Sequence, residues 1–495
     1  MNRFSNCRRL IAICIFLYAG LTTHPVFSQP FETDFGWSQY DETAWDGVLR
    51  DHFMPISLSN TNYTGGRSML ITGHNPVDGR PVWSSHLFRP GNRHEGRSLA
   101  IWPSSGAAKY LFITGSEQVG ASFYTHAFLL RTASNGAPSV YLRKAKPDQT
   151  RREIGMVLEE DDHNITFVAG NSAAGFISPA APPPAPTHFW AARFDGNTAN
   201  PPLWSFHYFP NDNSNYHFVV QEGCLGYYKG KTAPRRGLAL TGYYYRTGEN
   251  ARHAFVSMID FNTGQEMWRV ACPSGLNAEE GLDILYDPNG QRYFVVGYAL
   301  NPAGRRRMYT AVVQYDGMFA GGSYHETGNQ NLVDMVARDV CLAIDGRHAA
   351  VTGYVYLGGT APAPYKTFAS ELTIEPRSTA LWTKYYEESY SDLRGSEAIQ
   401  LVPDGLLSSP GYVITTGGTL FHEPLVTRDA QLIKIDPGGD LGPLQARCEI
   451  TRIALDPVLR DPQQISFRSR ASRIRWYQEQ IQFQRVEIER SSCEE

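Results

Sequence analysis

Four glutamates recur at similar points in the chain, each beside a glycine, an arginine or a histidine. Glu95 stands in Arg93-His94-Glu95-Gly96, and Glu153 in Arg151-Arg152-Glu153-Ile154-Gly155. Glu280 stands in Ala278-Glu279-Glu280-Gly281, and Glu397 follows Arg394-Gly395-Ser396. Asp46-Gly47 and Asp334 occupy comparable places. Carboxylates gathered at one place can bind a cation, join arginine in holding a polar ligand, or exchange protons as general acid and base. The same acids can instead pair with the neighbouring arginines or accept hydrogen bonds from turn amides, which is a purely structural role. No EF-hand-like ligand spacing marks a metal, and Asp161-Asp162-His163 reads as a solvated turn between strands. The chain has no Gly-x-Ser-x-Gly, His-Glu-x-x-His, P-loop or Cys-x-x-Cys motif, so no catalytic residue, metal or cofactor is assigned.

A second group suits recognition. Arg305 and Arg306 belong to an Arg-Arg-Arg run, and Tyr244 sits within Tyr243-Tyr244-Tyr245, with Tyr354 and Tyr356 in an equivalent place. Arginines and tyrosines of this kind can hold a sugar or a peptide, although packing at a strand edge explains the tyrosines equally well. The stretches Ser178 to Pro186 and Thr360 to Tyr365 are proline-rich, hence stiff and extended. Long loops on a rigid scaffold are where recognition tends to reside.

The elements that carry these residues repeat. A β-branched or aromatic run closed by glycine ends at Gly73, Gly115, Gly170, Gly242, Gly297, Gly353 and Gly417. Successive glycines are 42, 55, 72, 55, 56 and 64 residues apart. A short apolar strand and a turn such as Pro288-Asn289-Gly290 precede the run; a third strand and a Trp-bearing fourth strand follow it. Four antiparallel strands per unit, recurring about seven times, indicate an all-β propeller of seven four-stranded blades, with six or eight also compatible with the spacing. The strands are apolar on both sides because stacked blades bury both faces of each sheet. The repeated glycine serves close approach or a positive φ at the strand end. The segment from Asp34 to Tyr40 resembles a fourth strand and is expected to complete the last unit, which lacks one.

The turn Asp260-Phe261-Asn262-Thr263-Gly264-Gln265-Glu266-Met267-Trp268 resembles the Asp-x-x-Thr-Gly-x-x-x-Trp turn of quinoprotein-type (PQQ-like) propeller repeats, with looser copies around Trp204 and Trp382. The run Tyr412 to Gly418, with Ala430 to Gly439, is similar to repeats of secreted bacterial propellers. The resemblance spans roughly residues 35–440 and implies a fold rather than a reaction. The adjacent cysteines of quinoprotein dehydrogenases are missing, as are the Ser-x-Asp-x-Gly-x-x-Trp boxes of sialidases and the spaced Trp-Asp pairs of WD repeats.

Three domains are expected: a signal peptide over 1–28, the propeller over 29–444 and a C-terminal β extension over 445–495. Arg3, Arg8 and Arg9 precede a short apolar run, Ile11 to Leu21, and Val26-Phe27-Ser28 supplies small residues for cleavage before Gln29. Export to the periplasm or medium follows, with no membrane span. Cleavage leaves 42 basic against 49 acidic residues, a balance that argues against nucleic-acid partners. Five cysteines then remain, too few for a disulfide framework, although Cys448 and Cys493 could staple the tail. The leading expectation is a non-catalytic exported propeller that binds a protein, peptide or glycan on its loop-rich face. The rivals are a secreted polysaccharide lyase or hydrolase with acids and bases at the channel mouth, and a periplasmic scaffold for envelope assembly.

Overall fold

The computed structural model describes residues 31–35, 42–50, 54–62, 67–75, 79–102, 110–120, 125–133, 137–144, 151–161, 165–174, 187–195, 202–210, 216–249, 251–276, 278–327, 332–343, 345–358, 365–386, 396–402, 411–417, 420–422, 425–427, 430–440, 450–453, 467–471, 476–479 and 482–485. Among them there are strands and turns but no helix, and hence none long and apolar enough to cross a membrane.

The chain forms a β-propeller of four-stranded antiparallel blades. Six blades use four consecutive strands each, with inner strands Glu42–Arg50, Asn92–Trp102, Arg151–Glu160, Tyr216–Lys229, Glu279–Asp287 and Leu332–Leu342. The expected count of seven is corrected to six contiguous blades. The remaining repeat supplies only Ser396–Val402, Gly411–Gly417 and Ala430–Ile435, and Phe31–Phe35 from the other end of the chain pairs with Ala430–Lys434 as the outer strand. This composite sheet lies between blades 6 and 1 and closes the ring.

The core is distributed between neighbouring blades rather than collected at the centre. One cluster joins blades 1 and 2 through Leu58, Ile71, Leu99 and Phe128, and another joins blades 5 and 6 through Phe294, Val312, Val351 and Phe368. Each blade is therefore apolar on both faces, as the sequence pattern requires.

The recurrent glycine is explained by a bulge. In every blade the inner strand carries one extra residue facing the second strand, as between Gly96 and Ser98 or Gly281 and Asp283. The carbonyl ahead of the bulge presses on the opposite Cα: a Cβ at Gly115, Gly170, Gly242, Gly297 or Gly353 would lie 1.9 Å from the oxygen of Glu95, Ile154, Val219, Glu280 or Val336 respectively. Close approach is thus the requirement, not a positive φ, and the strands continue beyond the glycine. On its other side each glycine faces a buried aromatic of the third strand: Phe128, Trp190, Phe255, Tyr309 or Phe368. The preceding threonine donates to that strand as well, from Thr114 Oγ1 to the Phe128 carbonyl (2.7 Å) and from Thr352 Oγ1 to the Phe368 carbonyl (2.7 Å). Gly73 does not belong to this set. It lies in the third strand of blade 1, whose second strand, Met54–Thr61, has Ser59 at the glycine position. The short first interval of the repeat comes from this difference.

The Asp260 turn locks blade to blade. Asp260 Oδ1 accepts from the amides of Asn262 (3.0 Å) and Thr263 (2.7 Å). Gly264, at φ 67°, lies against Trp204 of the preceding blade, whose indole donates to the Phe261 carbonyl at 3.1 Å. Trp268 meets Gly317 and Trp382 meets Gly439 in the same way.

The C-terminal segment does not form a sheet of its own among the described residues. Its strands Ile450–Ile453, Phe467–Ala471, Trp476–Glu479 and Gln482–Arg485 add to the outer edges of blades 5, 3, 2 and 1 in that order. The tail runs backward around the rim as a girdle, pairing edges that would otherwise be open. Cys224, Cys272 and Cys341 are not in disulfides, and Cys448 and Cys493 lie outside the described residues.

Candidate functional site

Of the glutamates singled out from the sequence, Glu95, Glu153 and Glu280 are dispersed, each tied to a cation. Glu95 pairs with Arg67 of the preceding blade and with Arg97 of its own inner strand (2.9 Å). Burial pushes its carboxyl up, but Arg97 and Arg67 outweigh burial and hold it below the usual carboxylate range. Glu153 is fully buried, bonded to Lys144 of the preceding blade (2.5 Å) and to Ser172 Oγ (2.8 Å). Glu280 pairs with Arg252, again from the preceding blade. The side chain of Glu397 lies outside the described residues.

These acids are inter-blade ties. They do not converge on the channel mouth, because each faces the arginine or lysine that the adjoining blade presents. Arg305 is exposed in a turn where its amide donates to Asn301 Oδ1 (3.0 Å). Arg306 donates from its amide to Asp334 Oδ1 (2.8 Å) and from its guanidinium to the Tyr354 hydroxyl (3.1 Å), across to blade 6. Tyr244 is stacked on Phe218 with ring centroids 5.5 Å apart, so it packs within its blade. Asp161 caps its own turn through the Ile165 amide (2.9 Å) and pairs with Arg236 (3.0 Å); Asp162 and His163 lie outside the described residues. The 178–186 loop lies outside them too.

The acids that do gather lie one step further along the inner strands. Asp46, Glu222, Asp283 and Asp339 each take the first position after the bulge, and Glu159 stands two residues beyond it. The bulge gives every inner strand the same offset, so these side chains ring the axis of the propeller. They line a central cavity of about 550 Å³, together with Arg97 and Arg338, which are themselves bulge residues. The cavity and the loop-rich face meet at Arg97, since Glu95 holds its guanidinium.

An inner strand is an edge strand, so the amides on its channel side have no ladder partner. The carboxylate of the preceding blade supplies one. Asp46 Oδ2 accepts from the Leu99 amide (2.5 Å), Asp283 Oδ2 from the Val340 amide (2.6 Å), and Glu159 from the Leu225 amide. Burial nevertheless dominates. It pushes the Asp46 carboxyl up to about 8 against the pull of the Leu99 amide, with the Asp339 charge adding to the rise. Burial and the Asp46 charge likewise bring Glu159 to about 8. Glu222 and Asp283 are pushed well above the carboxylate range, first by burial and then by their acidic neighbours; Asp283 is also hydrogen-bonded to Asp339. Burial therefore favours the protonated form of Asp46, Glu159, Glu222 and Asp283, which in that form are hydrogen-bond donors.

No family model matches the chain, and no curated protein matches it. Among solved structures the chain is similar to the phage phi92 endosialidase, at TM-score 0.41 and 11% identity, over 83% of this chain and 69% of that one.

Only Asp46 of the ring stands out in the sequence reading, and there as a residue of a blade-to-blade loop. The signal for the others is a lone carboxylate inside an apolar inner strand, as in Leu282-Asp283-Ile284-Leu285 and Arg338-Asp339-Val340. A buried strand that keeps an acid needs a polar lumen or a partner for it.

Proposed function

We propose that the protein is an exported, non-catalytic propeller that binds a protein, peptide or glycan on its loop-rich face, anchored at the mouth of the central channel. The observation that carries this reading is the 550 Å³ cavity, where carboxyls at the post-bulge positions stand beside Arg97 and Arg338. Such a lining offers donors and acceptors to hydroxyls and amides, the groups that glycans and peptides present. The separate ion pairs of Glu95, Glu153 and Glu280 support the non-catalytic part, because an acid–base pair needs two carboxylates facing one bond. Export rests on the N-terminal sequence, with its arginines, apolar run and small-residue cleavage site.

The test is a glycan-array and peptide-library screen of the mature chain, repeated with Asp283→Asn and Arg338→Ala. A ligand retained by the wild type and lost by both variants supports the reading. A ligand that binds both variants as tightly as wild type would remove the channel mouth from it.

One observation favours a second reading, a polysaccharide lyase or hydrolase: Asp283 and Asp339 form a hydrogen-bonded carboxyl pair, a device that separates acid and base roles. Cleavage of a polysaccharide by the wild type, abolished by Asp339→Asn, would establish that reading in place of the first.

A further inference from the structure

A second cluster lies away from the channel, on blade 6, at the end of the blade that carries the turn between its first and second strands. Asp345 stands in that turn, His348 opens the second strand and Glu371 lies in the third. His348 is registered with Thr373 and Ala350 with Glu371, so His348 and Glu371 are diagonal neighbours on one face of the sheet.

Each carboxylate is held by one oxygen and presents the other. Asp345 Oδ1 accepts from the amides of Arg347 (2.8 Å) and His348 (3.1 Å), which fixes the turn. Glu371 Oε2 accepts from the Trp382 indole (3.1 Å) and the Tyr412 hydroxyl (3.4 Å). The remaining oxygens, Asp345 Oδ2 and Glu371 Oε1, lie 2.5 Å and 3.4 Å from His348 Nδ1. All three ligand atoms lie within 4.8 Å of one another.

The charge balance differs from that of the inter-blade acids. Glu95, Glu153 and Glu280 each face arginine or lysine. Among the described residues, neither Asp345 nor Glu371 has a Lys or Arg ion-pair partner, so two carboxylates converge on one imidazole. We propose that Asp345, His348 and Glu371 form a binding site for a divalent transition-metal ion of the zinc class. One imidazole and two carboxylates neutralise a dication and form a borderline donor set suited to such ions. Partial exposure of all three side chains leaves room for water to complete the coordination. Two ligands of a tetrahedral ion with bonds of about 2.0–2.1 Å stand about 3.3 Å apart. Glu371 Oε1 already has that spacing from Nδ1. Asp345 Oδ2 must open its distance to Nδ1 by under 1 Å, and the two carboxylate oxygens, now within 4.8 Å of one another, must reach the same spacing, an adjustment available to a side chain on an exposed turn. The indole and hydroxyl behind Glu371 orient it as outer-shell partners orient metal-bound carboxylates.

Isothermal titration of the full-length chain with Zn²⁺, after chelator treatment and dialysis, tests the site. One equivalent is expected to bind, at least tenfold more weakly in each of His348→Ala, Asp345→Asn and Glu371→Gln. His253→Ala is the control, because His253 faces a single carboxylate, that of Glu279, at 3.1 Å; its affinity should match wild type. Metal-free melting curves show which variants stay folded, and Asp345→Asn, on a turn, serves if His348→Ala does not. Absence of stoichiometric binding by the wild type, or affinity unchanged in a folded Asp345→Asn or Glu371→Gln, would overturn the proposal.

Discussion

The backbone carbonyl of Glu280 sits over the Cα of Gly297, so close that a Cβ there would lie 1.9 Å from the oxygen. The same contact recurs in four other blades, and it links the two signatures of this chain. In those five blades the glycine accommodates the bulge, while blade 1 forms the same bulge opposite Ser59. The bulge sets the offset that brings Asp46, Glu222, Asp283 and Asp339 to one level around the axis.

Gly297→Ala should therefore be far more damaging than a glycine substitution in an ordinary strand. The obstacle is backbone, which cannot rotate away, and a loss of about 3 kcal/mol or more is expected. The urea midpoint measures it. A variant that unfolds within error of wild type would mean that the bulge relaxes freely, and the account of the repeat would fall with it.

The Lys144–Glu153 pair between blades 2 and 3 gives a second prediction. Both side chains are about 1% exposed, and Lys144 also lies over the Trp190 ring at 4.5 Å. Glu153→Gln leaves a buried ammonium without its counter-charge and should destabilise by about 3 kcal/mol. Lys144→Met combined with Glu153→Leu removes both charges and should recover a good part of that loss. A double variant less stable than Glu153→Gln would show that the pair does more than neutralise itself.

The strands, their apolar faces and the propeller were legible in the sequence because blade stacking imposes a pattern every few dozen residues. An N-terminal segment completes the last sheet as expected, but the sequence pattern points to Asp34 to Tyr40 whereas the paired strand is Phe31–Phe35, and 36–40 lie outside the described residues. What escaped was set by register. Gly73 follows the same Ile-Thr pair as Gly115, and only pairing assigns it to a third strand. Glu95 and Glu280 look like a ligand-binding ring until the arginines of the preceding blades, 28 residues earlier in each case, are placed beside them. The true ring was hidden because one bulge residue decides whether Asp283 lines the channel.

The girdling tail should act as an edge guard. Truncation after Asp440 removes the strands paired to the outer edges of blades 1, 2, 3 and 5. The ring retains its inter-blade cores, so secondary structure by circular dichroism should persist. The open edges should drive self-association, visible as oligomers in size-exclusion chromatography with light scattering. A truncated chain that remains monomeric at high concentration would show that the rim needs no cover.

The channel acids make stability depend on pH in a definite direction. Asp46 and Glu159 titrate near 8 in the folded protein and near 4 when unfolded. Between those values the folded chain holds more protons, so their contribution is full below about 4 and is lost as pH rises toward 8, at a limit of about 1.4 kcal/mol per pH unit for each group. His74 and His86, depressed to about 4 by burial, act in the opposite sense, but only below about 6.5. The window from about 6.5 to 8 therefore lies above the histidine range, and only at its upper end does Lys434, depressed by burial to about 8, begin to oppose the channel acids. Wild-type melting temperature should fall across it, and Asp46→Asn should flatten the fall while keeping an oxygen that accepts from the Leu99 amide. Equal slopes for the two proteins would show that Asp46 is ionised in the folded state, and that the channel offers a fixed negative charge rather than a proton.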